Sequence, residues 1–379
     1  MPSSPAPASA TPSTSASLVG HRLADLDTPA LCLDLDALEA NIARMAAHTR
    51  AHQVDWRPHA KAHKCPQIAL LEIKAGAIGI TCAKLGEAEV FAAAGVRDIL
   101  IANQIVGPQK MTRLRALRQI ADPIVCVDSF DHVAALSQAF ADAPEPLRVL
   151  IEINVGLNRA GTAAGAPVVE LARRIVDSPG LRLAGIMGYE GHLLNIPDPD
   201  DKLIQIRDAL AALPETKALL EQAGIPCEIV SAGGTGSYEI TPVCPGVTEV
   251  QAGGLVLMDA YYKNRCGVSG FEHALLVLAG VVSRPTPDRA VIDAGRKCVH
   301  GDLHKPLVVG RDDIEVSRLT AEHGDLTLGE TARDLKIGDR LLLVPGYSDF
   351  TCVLHDEFVV LRKGVVEAIW PLAARGKLK

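Results

Sequence analysis

The stretch Ala30-Leu31-Cys32-Leu33-Asp34-Leu35 runs straight into Asp36–His52, and the pair reads as a β-strand followed by an amphipathic helix. Asp36 stands at the junction, where a carboxylate can accept from the free amides of a helix start. The same alternation continues outward. Strand patterns recur at Asp55–Ala62, Gly79–Ala83, Ile99–Asn103, Pro123–Asp128, Arg148–Val155, Leu183–Glu190 and Ile229–Ala232. Helical patterns such as Gly86–Ala94, Val168–Asp177 and Lys202–Ala223 fill the gaps. Eight strands alternating with helices predict an α/β chain built as a (β/α)8 TIM-type barrel. A doubly wound open sheet is the alternative, and a GxGxxG after the first strand would favour it; none is there.

The pattern breaks near residue 270. His273–Ser283, Ala290–Ala294, Arg340–Val344 and Glu357–Trp370 are strand-like and are separated by turns such as Pro285–Asp288 and Lys363–Gly364. We therefore expect residues 23–270 to form the barrel and residues 271–379 a β-rich C-terminal domain. Residues 1–22 read as a disordered tail, because positions 2–17 are all Pro, Ser, Ala or Thr and cannot bury enough apolar surface. The tail lacks the basic start and apolar stretch of a secretory signal.

The 379 residues carry 38 Lys and Arg against 45 Asp and Glu, a formal charge of −7, which speaks against a nucleic-acid partner. An apolar content of 48% suits a packed globular chain, and no apolar run approaches the length of a membrane span. Nine cysteines are scattered without a CxxC pair, so buried thiols in a reducing cytoplasm are expected.

The chemistry concentrates in Trp56-Arg57-Pro58-His59-Ala60-Lys61-Ala62-His63-Lys64. On a strand, Arg57, His59, Lys61 and His63 share one face. Burying several cations together is costly unless an anion meets them. Crowding and desolvation favour the neutral amine that attacks carbonyls, so a lysine here is a Schiff-base candidate. A basic strand end lying in water is the alternative. Ser231-Ala232-Gly233-Gly234-Thr235-Gly236-Ser237 follows the last strand, and Gly253-Gly254 lies close by. Such loops can cradle a phosphate with backbone amides, or can simply turn a tight barrel corner. Lys84 is a rival amine, and Asn103-Gln104 a candidate contact at the end of the fourth strand.

These motifs, with Leu354-His355-Asp356, together resemble the D-threonine aldolase / D-serine dehydratase-like family, which are fold III pyridoxal 5'-phosphate (PLP) enzymes of the alanine racemase type. The likeness runs from Asp27-Thr28-Pro29-Ala30 to Pro371–Gly376 and leans toward the aldolase branch. It implies that Lys61 carries the cofactor, that Arg159 faces the pyridine nitrogen, and that Tyr189 lines the cofactor site with His192 near the substrate. It implies His59, Gly234, Thr235, Gly236, Ser237, Gly253 and Gly254 as further cofactor contacts. The implied reaction cleaves a D-3-hydroxy amino acid to glycine and an aldehyde in a cytoplasmic homodimer. The family also uses a divalent ion, Mg²⁺ or Mn²⁺, held by a His-x-Asp or His-x-Cys pair.

Here that pair reads Tyr347-Ser348-Asp349. Neutral tyrosine is a poor ligand for these ions. Three readings stay open: a weak or absent metal with Tyr347 as acid–base phenol, a metal kept by Asp349 with other ligands, or a dehydratase or racemase reaction. Gly254-Leu255, in place of Ser-Tyr, and Glu190, in place of histidine, are further departures. His300-Gly301-Asp302-Leu303-His304 has metal spacing but reads better as a polar loop. His355-Asp356 reads as structural.

Overall fold

The structure is a computed structural model and describes residues 18–379. Residues 1–17 of the expected tail lie outside them. Residues 18–22 do not belong to a loose tail: the Gly20 amide donates to Val366 O at 2.9 Å, and Arg22 bridges to Val365.

Strand β1 (Ala30–Asp34) leads into α1 (Leu35–Ala51). Then follow β2 (Asp55–Trp56), α2 (Pro66–Ala75), β3 (Ile80–Cys82), α3 (Leu85–Ala93), β4 (Asp98–Gln104), α4 (Pro108–Arg118), β5 (Asp122–Val127), α5 (Phe130–Phe140), β6 (Leu147–Ile153), α6 (Ala166–Val176), β7 (Leu181–Gly188), α7 (Pro199–Leu210), α8 (Ala212–Gln222), β8 (Ile229–Ala232), β9 (Glu249–Val250) and the short α9 (Ala260–Asn264). The remainder is β-rich: β10 (Leu275–Thr286), β11 (Arg289–Ile292), β12 (Leu307–Val308), β13 (Ile314–Leu319), β14 (Gly324–Leu328), β15 (Arg340–Val344), α10 (Ser348–Cys352), β16 (Glu357–Arg362) and β17 (Val365–Pro371).

Eight parallel strands form one sheet in the order β2-β9-β8-β7-β6-β5-β4-β3. A bridge between His59 and Thr81 links its two ends and closes the barrel. The second sheet is β11-β14-β13-β12-β15-β10-β1-β16-β17, and an added β10–β11 pairing closes six of its strands on themselves. The expected barrel with a β-rich domain is thus the fold, with one exchange of strands. β1 pairs with β10 and β16 in the second sheet, although it falls within residues 23–270. The eighth barrel strand is β9, two residues that carry no strand pattern. The glycine loop at 233–237 therefore follows the seventh barrel strand.

Local chemistry sets these elements. Positions 123–127 of β5 are buried throughout, as a strand covered on both faces requires. In α6, Val168, Leu171, Ala172 and Ile175 recur at helical spacing and face the core, while Arg173 and Arg174 point outward. The cap of α1 is Asp34, whose carboxylate accepts from the Ala37 amide, and not Asp36. Asp36 sits in the first turn and pairs with Arg362 at 2.7 Å.

Candidate active site

The basic segment does not continue as a strand to Ala62. After β2 the backbone makes only the His59 bridge and then turns, and this splits the polar row. Arg57 is buried inside the barrel and bonded to Glu249 at 3.0 Å and Asp98 at 2.7 Å. The anion it meets is the protein's own. His63 is buried against Glu72, and Lys64 is paired with Glu87. His59 and Lys61 alone face the cavity at the carboxyl ends of the barrel strands.

That cavity has a volume of about 370 Å³. Its wall takes Asn103 and Gln104 from the end of β4, Glu152 from β6, and Arg159 and Tyr189 from the loops after β6 and β7. Gly233, Gly234 and Thr235 come from the loop after β8, and Gly253 and Gly254 from the loop after β9. Tyr262 of α9 and Asp349 of α10 complete it. The Lys61 ammonium lies 3.5 Å from Asp349 Oδ2. The other carboxylate oxygen, Oδ1, is buried with no hydrogen-bond partner.

The glycines are demanded by close approach. A Cβ on Gly253 would lie 2.4 Å from the carbonyl oxygen of His59, so only glycine lets this loop reach the lysine segment. Gly233 adopts φ +80°, and its Cβ would meet Thr241 at 2.9 Å. Among the described residues, the amides of Thr235, Gly236, Gly253 and Gly254 donate to no protein acceptor. Ser237 is different from the sequence expectation. Its hydroxyl donates to Glu190 Oε1 at 2.5 Å and does not line the cavity. Glu190, fully buried, also accepts from Thr241 Oγ1 at 2.7 Å and from the Gly233 amide at 3.3 Å. This carboxylate is the internal brace of the loop. Gly236 is buried beside Leu194 and outside the wall.

Arg159 lies over the Tyr189 ring, 5.8 Å from its centroid, and 3.7 Å from Glu152. Glu152 in turn accepts from Gln104 Nε2 at 2.6 Å. Burial and the neighbouring cations Lys61, Lys64 and Arg159 push the His59 imidazolium well below the ordinary histidine range, so the ring is neutral. Burial and the Glu190 charge raise the Tyr189 phenol.

Two expected residues stand elsewhere. His192 is exposed in the turn Gly191–Leu193, beside Gly156 and off the cavity wall. Tyr347 is buried behind Tyr262, with their hydroxyls 3.5 Å apart. Of these two phenols it is Tyr262 that lies on the wall, a position without a motif of its own. Burial and the Asp349 charge raise both phenols far above the usual tyrosine range, so both remain O–H donors.

The other motifs are structural. His300 packs edge-on against Phe350 at 4.9 Å. His304 bonds Lys305 O at 2.7 Å, and His355 bonds Cys298 O at 2.7 Å. Lys84 lies outside the wall. The nine cysteines are free and buried.

The alanine racemase N-terminal domain model matches residues 33–260, and a serine dehydratase domain matches residues 274–361. The chain is 40% identical to the D-threonine aldolase of Arthrobacter sp over 94% of its own length and 95% of the relative's. It is 37% identical to the 3-hydroxy-D-aspartate aldolase of Paracoccus denitrificans over 95% of each. The crystal structure of the D-threonine aldolase from Filomicrobium marinum superposes with a TM-score of 0.92 at 39% identity, covering 95% of this chain and 99% of that one. The chain accordingly belongs to the alanine racemase-type family, in the branch that holds the D-threonine and 3-hydroxy-D-aspartate aldolases.

Proposed function

We propose that the protein is a PLP-dependent lyase that cleaves the Cα–Cβ bond of a D-3-hydroxy amino acid to glycine and an aldehyde. The observation that carries this reading is the Lys61 amine set in a cavity whose wall includes two glycine loops with unpaired amides. The residues suit the cofactor. Thr235 and the Gly253-Gly254 amides offer donors to a phosphate, and any side chain at Gly253 would fill the space between loop and lysine.

When bound, PLP supplies an electron sink for a bond broken at the substrate's Cα. Lys61 is the covalent attachment point. Arg159, a hydrogen-bond donor without an acceptor lone pair, would give the ring nitrogen no carboxylate partner to keep it protonated, and the sink would then be weak. The β-oxygen then needs help from the protein. Asp349, which lines the cavity with Oδ2 3.5 Å from the Lys61 nitrogen, is placed to take a proton. Neutral His59 adds no further positive charge beside the lysine.

The residues do not suit a divalent ion. Asp349 is a single carboxylate, and the position that would complete a pair is a phenol. Among the described residues, no group of three or more His, Cys, Asp and Glu side chains could share a metal. No step is assigned to one. We also infer a homodimer. The Arg159 side chain, 58% exposed over a partly buried ring, and the exposed His192 support a second copy closing the site.

The test is spectral and chemical. The purified protein should show a visible band that borohydride abolishes, and Lys61→Ala should lack it. A panel of D- and L-3-hydroxy amino acids should yield aldehyde and glycine from D isomers. Release of a keto acid and ammonia instead would mean dehydration, and a reducible band in Lys61→Ala would move the attachment point.

A further inference from the structure

This inference rests on the lyase reading above. Breaking the Cα–Cβ bond requires that the β-oxygen be polarised while its proton leaves. The donor set at 347 and 349 cannot hold an ion well, so something else must act there. Tyr262 lines the cavity, and the Tyr347 hydroxyl stands 3.5 Å behind the Tyr262 hydroxyl. Tyr347 is wedged among the rings of Tyr261 at 5.5 Å, Tyr262 at 5.7 Å and Phe350 at 5.1 Å. One buried carboxylate sets the backbone beneath both phenols. Asp259 Oδ1 accepts from the Tyr262 amide at 2.8 Å, and Oδ2 accepts from the Ser348 amide at 2.7 Å. Asp349 follows Ser348 directly and lines the same cavity, with Oδ2 3.5 Å from the Lys61 nitrogen and Oδ1 buried behind it. A donor and an acceptor thus face one space, and a large aromatic ring fills the place that an imidazole ligand would need.

We propose that this protein cleaves its substrate without a divalent ion: Tyr262, backed by the Tyr347 hydroxyl, donates a hydrogen bond to the β-oxygen, and the Asp349 carboxylate takes that oxygen's proton. The O–H bond breaks toward Asp349, and the oxygen's electron pair forms the aldehyde C=O. The electrons of the broken Cα–Cβ bond stay with Cα, which takes up a proton to become glycine. Tyr262 and Asp349 are catalytic residues; Tyr347 is a positioning residue that orients the Tyr262 hydroxyl.

The holoenzyme, purified without chelator, is analysed for Mg, Mn and Zn by mass spectrometry. It is assayed for aldehyde release before and after dialysis against EDTA, with and without Mn²⁺. Exchange of the glycine α-hydrogen in D2O is measured in parallel, since it needs Lys61 and the cofactor but no β-oxygen. We expect far less than one metal per protomer and cleavage indifferent to EDTA and Mn²⁺. Tyr262→Phe should lower kcat for cleavage about a hundredfold, with KM, the visible band and glycine exchange unchanged. Tyr347→Phe should follow the same pattern at about tenfold. Tyr347→His should gain bound Mn²⁺, read by electron paramagnetic resonance. One metal per protomer with EDTA-sensitive cleavage would overturn the proposal, as would a Tyr262→Phe variant that slows glycine exchange as much as cleavage. Failure of the lyase reading itself looks different: glycine exchange persists while no 3-hydroxy amino acid releases aldehyde, and both ideas then fall together.

Discussion

Asp259 and Ser348 lie 89 residues apart in the chain and are joined twice in the fold, because Asp259 Oδ2 accepts from both the amide and the hydroxyl of Ser348 at 2.7 Å. This contact ties α9, which leaves the barrel, to α10 of the β-rich domain. It fixes the backbone beside two residues of the cavity wall, Tyr262 and Asp349.

The Asp259 carboxyl is pushed up by burial from 3.8 to about 7. The native state therefore holds this proton over a range in which the unfolded chain has released it. Its contribution to stability is full below pH 3.8 and is lost as pH rises to about 7. Thermal midpoints of the wild type and Asp259→Asn should diverge across this window. The wild type should lose stability relative to the variant as pH rises. A constant difference across the range would show that Asp259 does not titrate there.

Arg57 is the only charge that neutralises Glu249 inside the barrel through direct contact among the ion pairs of the described residues. Arg57→Ala strands that carboxylate and should cost about 3–5 kcal/mol in denaturant unfolding. The double variant Arg57→Met with Glu249→Leu should recover much of the loss, because two apolar groups replace a pair whose ionisation costs desolvation. Additive losses in the double variant would contradict this account.

Glu190 braces the glycine loop through Ser237, Thr241 and Gly233. Glu190→Gln keeps the shape but turns one acceptor into a donor facing two hydroxyls. Cofactor affinity should fall about tenfold, near 1.4 kcal/mol, with the fold intact. Titration of the apoprotein followed by circular dichroism would check both quantities at once. An unchanged affinity would mean the brace is dispensable.

Gly253→Ala places a Cβ 2.4 Å from the His59 carbonyl oxygen and 2.6 Å from its amide nitrogen. Neither neighbour is a flexible side chain, so the Lys61 segment must move. We expect loss of the visible cofactor band at a stability cost of about 1–3 kcal/mol. A variant that binds cofactor normally would show that the two loops can separate without consequence.

Much of this was legible in the residues. Apolar runs of a few residues alternating with amphipathic segments state a barrel, and the Lys61 segment with the glycine loops carries the family resemblance that implies a cofactor. The count of eight strands was right while one member was wrong. Ala30–Asp34 has a strong strand pattern and joins the other sheet, whereas Glu249–Val250 has none and closes the barrel. Periodicity reports that a segment is extended and which face is buried; it does not report which neighbour supplies the hydrogen bonds. Tyr262 left no mark either, since a tyrosine in a short helix resembles any other apolar residue.

By itself, then, the sequence determined the local conformations and the kinds of chemistry available, because helix, strand and turn preferences act over a few residues. The tertiary structure alone decided which side chains share the cavity. Ser237 turns inward to a buried carboxylate, His192 stands exposed off the cavity wall, and Tyr262 takes the wall in front of Tyr347. Those outcomes depend on hydrogen bonds and close backbone approaches between segments tens to hundreds of residues apart, and only the packed chain brings such partners within reach.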